Sequence, residues 1–159
     1  MRLVIVRHGK AKPDSASGLD FDRELRNRGV RQAEHLAGLL KGVQPPVSAV
    51  VSSRATRARQ TAEVIAAGVG VEVAFDERLL VDEPVSTVLD LLRERADSGC
   101  LVLVGHNPQC EHLVATLTGR PVTHETRMRT GEAVVLEVNP AEPLQSGAEL
   151  NRVRLEDDE

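Results

Sequence analysis

The sequence predicts an α/β fold: a single-domain three-layer sandwich with a mostly parallel central sheet flanked by helices. Three observations carry this expectation. Short β-branched runs alternate with amphipathic stretches of about 10–14 residues, the signature of successive β–α–β units. The 159 residues are one domain's worth of chain. Apolar residues make up 41% and charged residues 28%, ordinary values for a globular protein and not those of a disordered or collagen-like chain.

Residues 2–6 are a β-branched run that fits a buried strand. Over residues 28–41, Val30, Ala33, Leu36, Ala37 and Leu40 recur at helical spacing. Gly42 then stops the helix, and Pro45-Pro46 bars its continuation. Residues 48–52 are a second strand, and residues 55–67 a second helix ending before Gly68 and Gly70. The stretch 71–75 alternates like a strand. Pro84 opens a third helix, where its missing N–H costs nothing, and Val85, Val88, Leu89 and Leu92 line one face. Residues 100–104 are the most apolar strand. Pro108 opens a fourth helix carrying Cys110, Leu113, Val114 and Leu117, and Gly119 closes it. Residues 133–138 and 150–155 complete the set as two late strands.

Composition narrows the function classes. The longest apolar runs are far shorter than a membrane span, and the four apolar residues after Arg2 are too few for a signal-peptide core, so no membrane association and a cytoplasmic location are expected. The two cysteines, Cys100 and Cys110, form no C-x-x-C pair and are expected to be reduced and buried. With no Trp, no Tyr and only two Phe, the chain lacks the stacking platforms of a single-stranded nucleic-acid binder, and no nucleic-acid partner is expected. The net charge of -4 hides an asymmetry. Residues 1–60 hold 12 Lys/Arg against 5 Asp/Glu, whereas residues 61–159 hold 8 against 19. A basic first third is either a solvated face or part of an anion site.

In open parallel sheets, ligands bind beyond the carboxyl ends of the strands. Three segments fall there: Arg7-His8-Gly9 after the first strand, Ser52-Ser53-Arg54-Ala55-Thr56-Arg57 after the second, and Gly105-His106-Asn107-Pro108 after the strand 100–104. If the strands are neighbours, two histidines and at least two arginines face one pocket, helped by two helix N-termini. Guanidinium forks match phosphate oxygens. A neutral imidazole can attack phosphorus, splitting one hydrolysis into two easier steps. The pocket therefore suits metal-independent phosphoryl transfer through a phosphohistidine, with cationic side chains in the metal's role and no cofactor.

Strand-Arg7-His8-Gly9, then Ser52-x-x-x-x-Arg57-Ala58-x-Gln60-Thr61-Ala62, then strand-Gly105-His106-Asn107-Pro108 resemble the histidine phosphatase superfamily, with its phosphoglycerate-mutase-like fold, in order and spacing over residues 1–118. The resemblance implies a histidine-phosphatase-like catalytic domain over residues 1–155, with 156–159 as a frayed acidic tail. It implies that His8 is the phosphorylated nucleophile, that Arg7 and Arg57 bind phosphate, that His106 is the second catalytic, phosphate-binding histidine, and that Asn107 offers its backbone N–H. Arg54 and Arg59 stay peripheral. Arg23, Arg26, Arg28 and Arg31 are expected to form a solvated cluster beside the first helix, with substrate steering as the alternative.

Two departures point to a branch. Mutase and sugar-phosphatase members carry a Glu general acid shortly after the third strand, where this chain has Val81. Asp82 is the candidate acid nearby, with Glu83 beside it. The insertions that cap the pocket in those branches are also missing. This compact form resembles the SixA-type phosphohistidine phosphatases, as does Asp20-Phe21-Asp22-Arg23-Glu24-Leu25 before the first helix. The resemblance implies a signal-transduction hydrolase acting on protein phosphohistidine, and nothing in the chain demands an oligomer. The alternatives are a small-molecule phosphomonoesterase and a non-enzymatic phosphate- or phosphoprotein-binding module.

Overall fold

Adjacent residues of the central strands feed two different cores. In a computed structural model that describes residues 1–156, β1 (Arg2–Arg7) sends Leu3 and Ile5 to one face of the sheet and Val4 and Val6 to the other, as the period of two in a strand requires. β4 (Cys100–Gly105) does the same, with Leu101 and Leu103 opposite Cys100, Val102 and Val104. Helices α1 (Asn27–Leu40) and α2 (Thr56–Val69) cover the Val4 face with Leu36, Leu40, Ala58, Ala62 and Ile65. Helices α3 (Val85–Glu94) and α4 (Gln109–Thr118) cover the Leu3 face with Val88, Leu91, Leu92, Leu113 and Leu117. The result is the expected three-layer α/β sandwich. Truncating one fully buried leucine such as Leu101 to Ala would cost about 2–5 kcal/mol.

The remaining strands are β2 (Ala49–Ser52), β3 (Val73–Phe75), β5 (Ala133–Glu137) and β6 (Ala148–Val153), and the sheet order is β3-β2-β4-β1-β5-β6. The first four in that order run parallel, whereas β5 pairs antiparallel with β1 and β6 antiparallel with β5. The sheet is therefore mixed, with a four-strand parallel part. β2 and β3 form before β4 in the chain, and β4 inserts between β2 and β1. That insertion places the carboxyl ends of β1, β2 and β4 side by side.

The second helix runs further than its sequence suggests. Gly68 lies inside α2, where a Cβ would come within 2.8 Å of the Ala37 methyl carbon, so a glycine there lets α1 and α2 close on each other. Gly70, in the left-handed conformation, is the residue that ends the helix. β6 lies two residues earlier than expected, at Ala148–Val153. No described helix is long and apolar enough to cross a membrane. Both cysteines are buried and free. The expected frayed tail, 156–159, lies outside the described residues except for Glu156, which belongs to no element.

Candidate active site

Strand register brings the two histidines together. Arg7 on β1 pairs with Gly105 on β4, so the next residue of each strand, His8 and His106, leaves the sheet at the same level. His8 N–H donates to the Gly105 carbonyl at 3.0 Å, and the two rings sit 5.2 Å apart. Gly9 then passes so close to α1 that a Cβ on it would lie 2.6 Å from the Gly29 carbonyl oxygen. Neither glycine tolerates a side chain without pushing the His8 loop away from the helix. Thr61, fully buried in α2, ties this loop down: its hydroxyl accepts from Gly9 N–H at 3.0 Å and donates to the Arg57 carbonyl at 2.7 Å. Gln32 accepts from Lys10 N–H at 2.8 Å and donates to the Thr130 carbonyl at 3.1 Å.

These elements frame a cleft of about 280 Å³ over the ends of β1 and β4. Arg7, His8, Arg57, His106 and Asn107 all line it. Three residues that the sequence pattern did not place there, Lys10, Arg23 and Thr130, line it as well. Arg23 is thus drawn out of the solvated cluster expected for Arg23, Arg26, Arg28 and Arg31. The cause is the loop before α1, which folds into a 3-10 turn at Asp20–Asp22, where Arg23 bonds the Asp20 carboxylate at 2.9 Å and the Lys12 carbonyl at 2.8 Å. The DxxR pattern of Asp20 and Arg23 is the only sequence signal that could have revealed it.

Asp82, the candidate general acid, does not line the cleft. The backbone turns at Asp82 through a positive φ of 69° on its way into α3, and the preceding Val81 faces the cleft instead. Among the described residues no carboxylate lines the cleft directly. Arg54 also stays outside, with its guanidinium over the Phe75 ring at 5.0 Å.

His8 is held as a neutral imidazole. Its Nδ1–H donates to the Gly9 carbonyl at 2.7 Å, which leaves the Nε2 lone pair facing Arg57. Burial, reinforced by the positive charges of Arg57 and Arg7, pushes its pKa down to about 4 against the pull of the Gly9 bond. His106 is lowered to about 3, first by burial and then by His8 and Arg57. Ser53 Oγ accepts from Ala55 N–H at 3.2 Å, and among the described residues His106 Nε2, at 2.9 Å, is the one acceptor its own proton meets, which selects Nε2 as the acceptor in this bond. The His106 ring proton then resides on Nδ1, which is buried and has no partner.

That unmet donor has company. The buried unpartnered side-chain polar atoms of the described residues are Arg7 Nε, His106 Nδ1 and Asn107 Oδ1, and all three residues line the cleft. Buried polar groups are normally satisfied, so unpaired N–H donors between two guanidinium groups point to an anion as the missing partner. Asn107 Nδ2 is committed to Glu111 at 2.8 Å and to the Met128 carbonyl at 2.9 Å, which leaves its backbone N–H as its route to an anion. Burial lowers the pKa of both Arg7 and Arg57, yet guanidinium groups keep their charge. Among the described residues no three His, Cys, Asp or Glu side chains converge to hold a metal ion.

His8, His106, Arg7 and Arg57 thus line one cleft at the carboxyl ends of parallel strands, and the chain belongs to the histidine phosphatase superfamily. The model of branch 1 of that superfamily matches residues 3–80. An uncharacterised protein of Mycobacterium tuberculosis is 36% identical over 113 residues, covering 70% of this chain and 69% of the relative. Within the superfamily the architecture is SixA-type. The structure of the protein histidine phosphatase SixA complexed with tungstate superposes with a TM-score of 0.84 at 23% identity, covering 97% of both chains. A provisionally named phosphohistidine phosphatase SixA of Nakamurella multipartitia gives 0.81 at 27% identity, covering 96% of this chain and 94% of that one. A mycobacterial glucosyl-3-phosphoglycerate phosphatase shares the fold at a TM-score of 0.64 and 23% identity, covering 85% of this chain and 89% of that one.

Proposed function

We propose that this protein, over residues 1–155, is a metal-independent cytoplasmic phosphatase that hydrolyses phosphohistidine on a protein substrate through a phospho-His8 intermediate. The observation that carries the substrate class is a cleft lined by Arg7, Arg23 and Arg57 and two neutral histidines but by no carboxylate, with Val81 on its wall. An alkoxide leaving group needs a proton donor, whereas an imidazole protonated on its far nitrogen leaves as a neutral ring. A site without an acid is therefore matched to a phosphorus–nitrogen bond.

In the first step, His8 Nε2 forms a bond to phosphorus as the bond to the substrate imidazole breaks, and that electron pair leaves with the imidazole. Arg7, Arg57 and the His106 Nδ1–H stabilise the charge on the phosphoryl oxygens. Asn107 contributes its backbone N–H. In the second step, water attacks phosphorus, His8 regains its lone pair, and inorganic phosphate is released. The open cleft leaves room for a protein surface around the phosphorylated ring.

The test is rapid-quench mixing with a radiolabelled phosphohistidine domain. The expected result is transient label on the enzyme that is acid-labile, alkali-stable and absent in His8→Ala. Rapid cleavage of small phosphomonoesters with no action on phosphohistidine would overturn the substrate class in favour of a phosphomonoesterase. Phosphate binding with no turnover of either donor would make the protein a binding module.

A further inference from the structure

Arg57 is fully engaged with protein groups at all three of its nitrogens. Its Nε–H points at His8 Nε2 at 3.3 Å, the lone pair that must attack phosphorus. Its Nη1 donates to the Asp20 carbonyl at 2.9 Å, and its Nη2 to the Asp20 carboxylate at 3.1 Å. The other carboxylate oxygen of Asp20 takes Arg23 Nε at 2.9 Å. One carboxylate thus bridges two of the arginines that line the cleft, while the side chain of Arg57 is only 5% exposed and that of Asp20 is 64% exposed. Desolvation works against the Asp20 charge, but the bonds from Arg23 and Arg57 outweigh it and hold its pKa below the usual carboxylate range. Asp20 is charged whenever the enzyme meets a substrate near neutral pH.

We propose that Asp20 is a positioning residue that acts through Arg57: its carboxylate is a resident anion that orders Arg57 and Arg23 and weakens the hold of the same two cations on phosphate. The inference rests on the cleft being a phosphoryl site, and it assigns that site its means of product release. Three arginines crowded around one cleft repel each other and would bind a dianion tightly enough to slow turnover. A carboxylate at the rim offsets both effects. It takes Nη2 of Arg57 while the Asp20 main-chain carbonyl takes Nη1, so both terminal nitrogens of the guanidinium are held before the substrate arrives, and its charge repels the phosphate left after hydrolysis.

A merely structural role for Asp20 predicts weaker phosphate binding once it is lost. A resident anion predicts the opposite, which makes the sign of the change the test. Inorganic phosphate is titrated calorimetrically into wild-type protein, Asp20→Asn, Asp20→Glu and Arg57→Ala at low ionic strength. Asparagine keeps an acceptor for Arg57 and removes the charge. The expected result is a dissociation constant about tenfold lower in Asp20→Asn, close to wild type in Asp20→Glu, and at least tenfold higher in Arg57→Ala. Raising the salt concentration should shrink the gap between wild type and Asp20→Asn. Wild-type binding that needs Arg57 but does not tighten in Asp20→Asn overturns this inference and leaves the phosphatase reading standing. Wild-type protein that binds no phosphate overturns both.

Discussion

Two cavities of this protein differ in what their walls leave unpaired. The larger, about 370 Å³, lies between α4, the chain after Gly119 and the edge strand β6. Three of its four charged side chains are matched: Arg152 meets Glu149 at 2.9 Å and Glu132 at 3.7 Å and donates to the Thr126 carbonyl, while Glu111 accepts from Asn107 and from Met128 N–H; Arg120 is the fourth. The smaller cleft gathers Arg7, Arg23, Arg57 and Lys10 with no carboxylate on its wall, and the buried unpartnered polar atoms of the described residues belong to residues that line it. The larger cavity is a packing consequence of an edge strand met by a loop. Asp20 at the rim pairs Arg23 and Arg57, yet the smaller cleft keeps an excess of positive charge and two buried donors, Arg7 Nε and His106 Nδ1, without partners, an arrangement that is costly without a ligand. Chemistry is marked here by unmet donors and excess charge, not by empty volume.

Substitutions in the smaller cleft should dominate turnover, beginning with the nucleophile. His8→Ala is expected to lower the rate on a phosphohistidine donor by about 10⁴ or more and to abolish the labelled intermediate. Retention of label in that variant would break the contrast at its centre. Arg57→Ala should cost about 10³ in turnover, whereas Arg54→Ala, over the Phe75 ring, should stay within about threefold. Equal losses would mean that the cleft's boundary is drawn in the wrong place. His106→Ala should cost about 10² to 10³ by removing the Nδ1–H donor, and a loss under tenfold would reduce His106 to a packing role.

Acid titration separates the two cavities by stability. The folded pKa of His8, about 4, lies below the unfolded value near 6.5, so on acidification the unfolded chain takes up the proton first. Stability is full above pH 6.5 and is lost as the pH falls through 4, by up to about 3 kcal/mol for this group. Urea unfolding followed between pH 7 and 4 should show that slope, and His8→Ala should reduce it, with the part that remains coming from His106, whose pKa is lowered to about 3. The same lowered pKa keeps the nucleophile neutral at pH 5, so the acid limb of turnover should lie near pH 4 instead of 6.5. Arg152→Ala, in the larger cavity, should cost about 1 kcal/mol of stability at most and leave turnover within about twofold. A large loss of turnover there would show that the two cavities are not independent.

The sequence was most legible where backbone periodicity and motif coincide. β1 and β4 are short apolar runs whose ends carry His8 and His106, so strand pattern and candidate chemistry located each other. Arg7, Arg57 and Asn107 were legible for the same reason, each lying within a few residues of a strand's carboxyl end. Arg23 and Asp20 were not, because they reach the cleft from a 3-10 turn with no hydrophobic period to announce it. Gln32 and Thr61 were hidden in helices, where a polar residue reads as solvent-facing until the neighbouring loop is known to need a donor or an acceptor. Asp82 misled in the opposite direction: proximity in sequence suggested a place in the cleft, and the backbone turn at that residue gives the cleft wall to Val81.

By itself, the sequence determined the elements, their α/β order and the three loops that carry the chemistry, because those depend on local spacing of apolar residues and on residue type. Only the tertiary structure decided that β4 inserts beside β1 in a register that sets two histidine rings 5.2 Å apart, that β5 and β6 turn antiparallel, and that Asp20 closes on Arg57. These are contacts between residues far apart in the chain. Their energies come from burial and charge pairing that exist only once the sheet has assembled, and no local pattern encodes them.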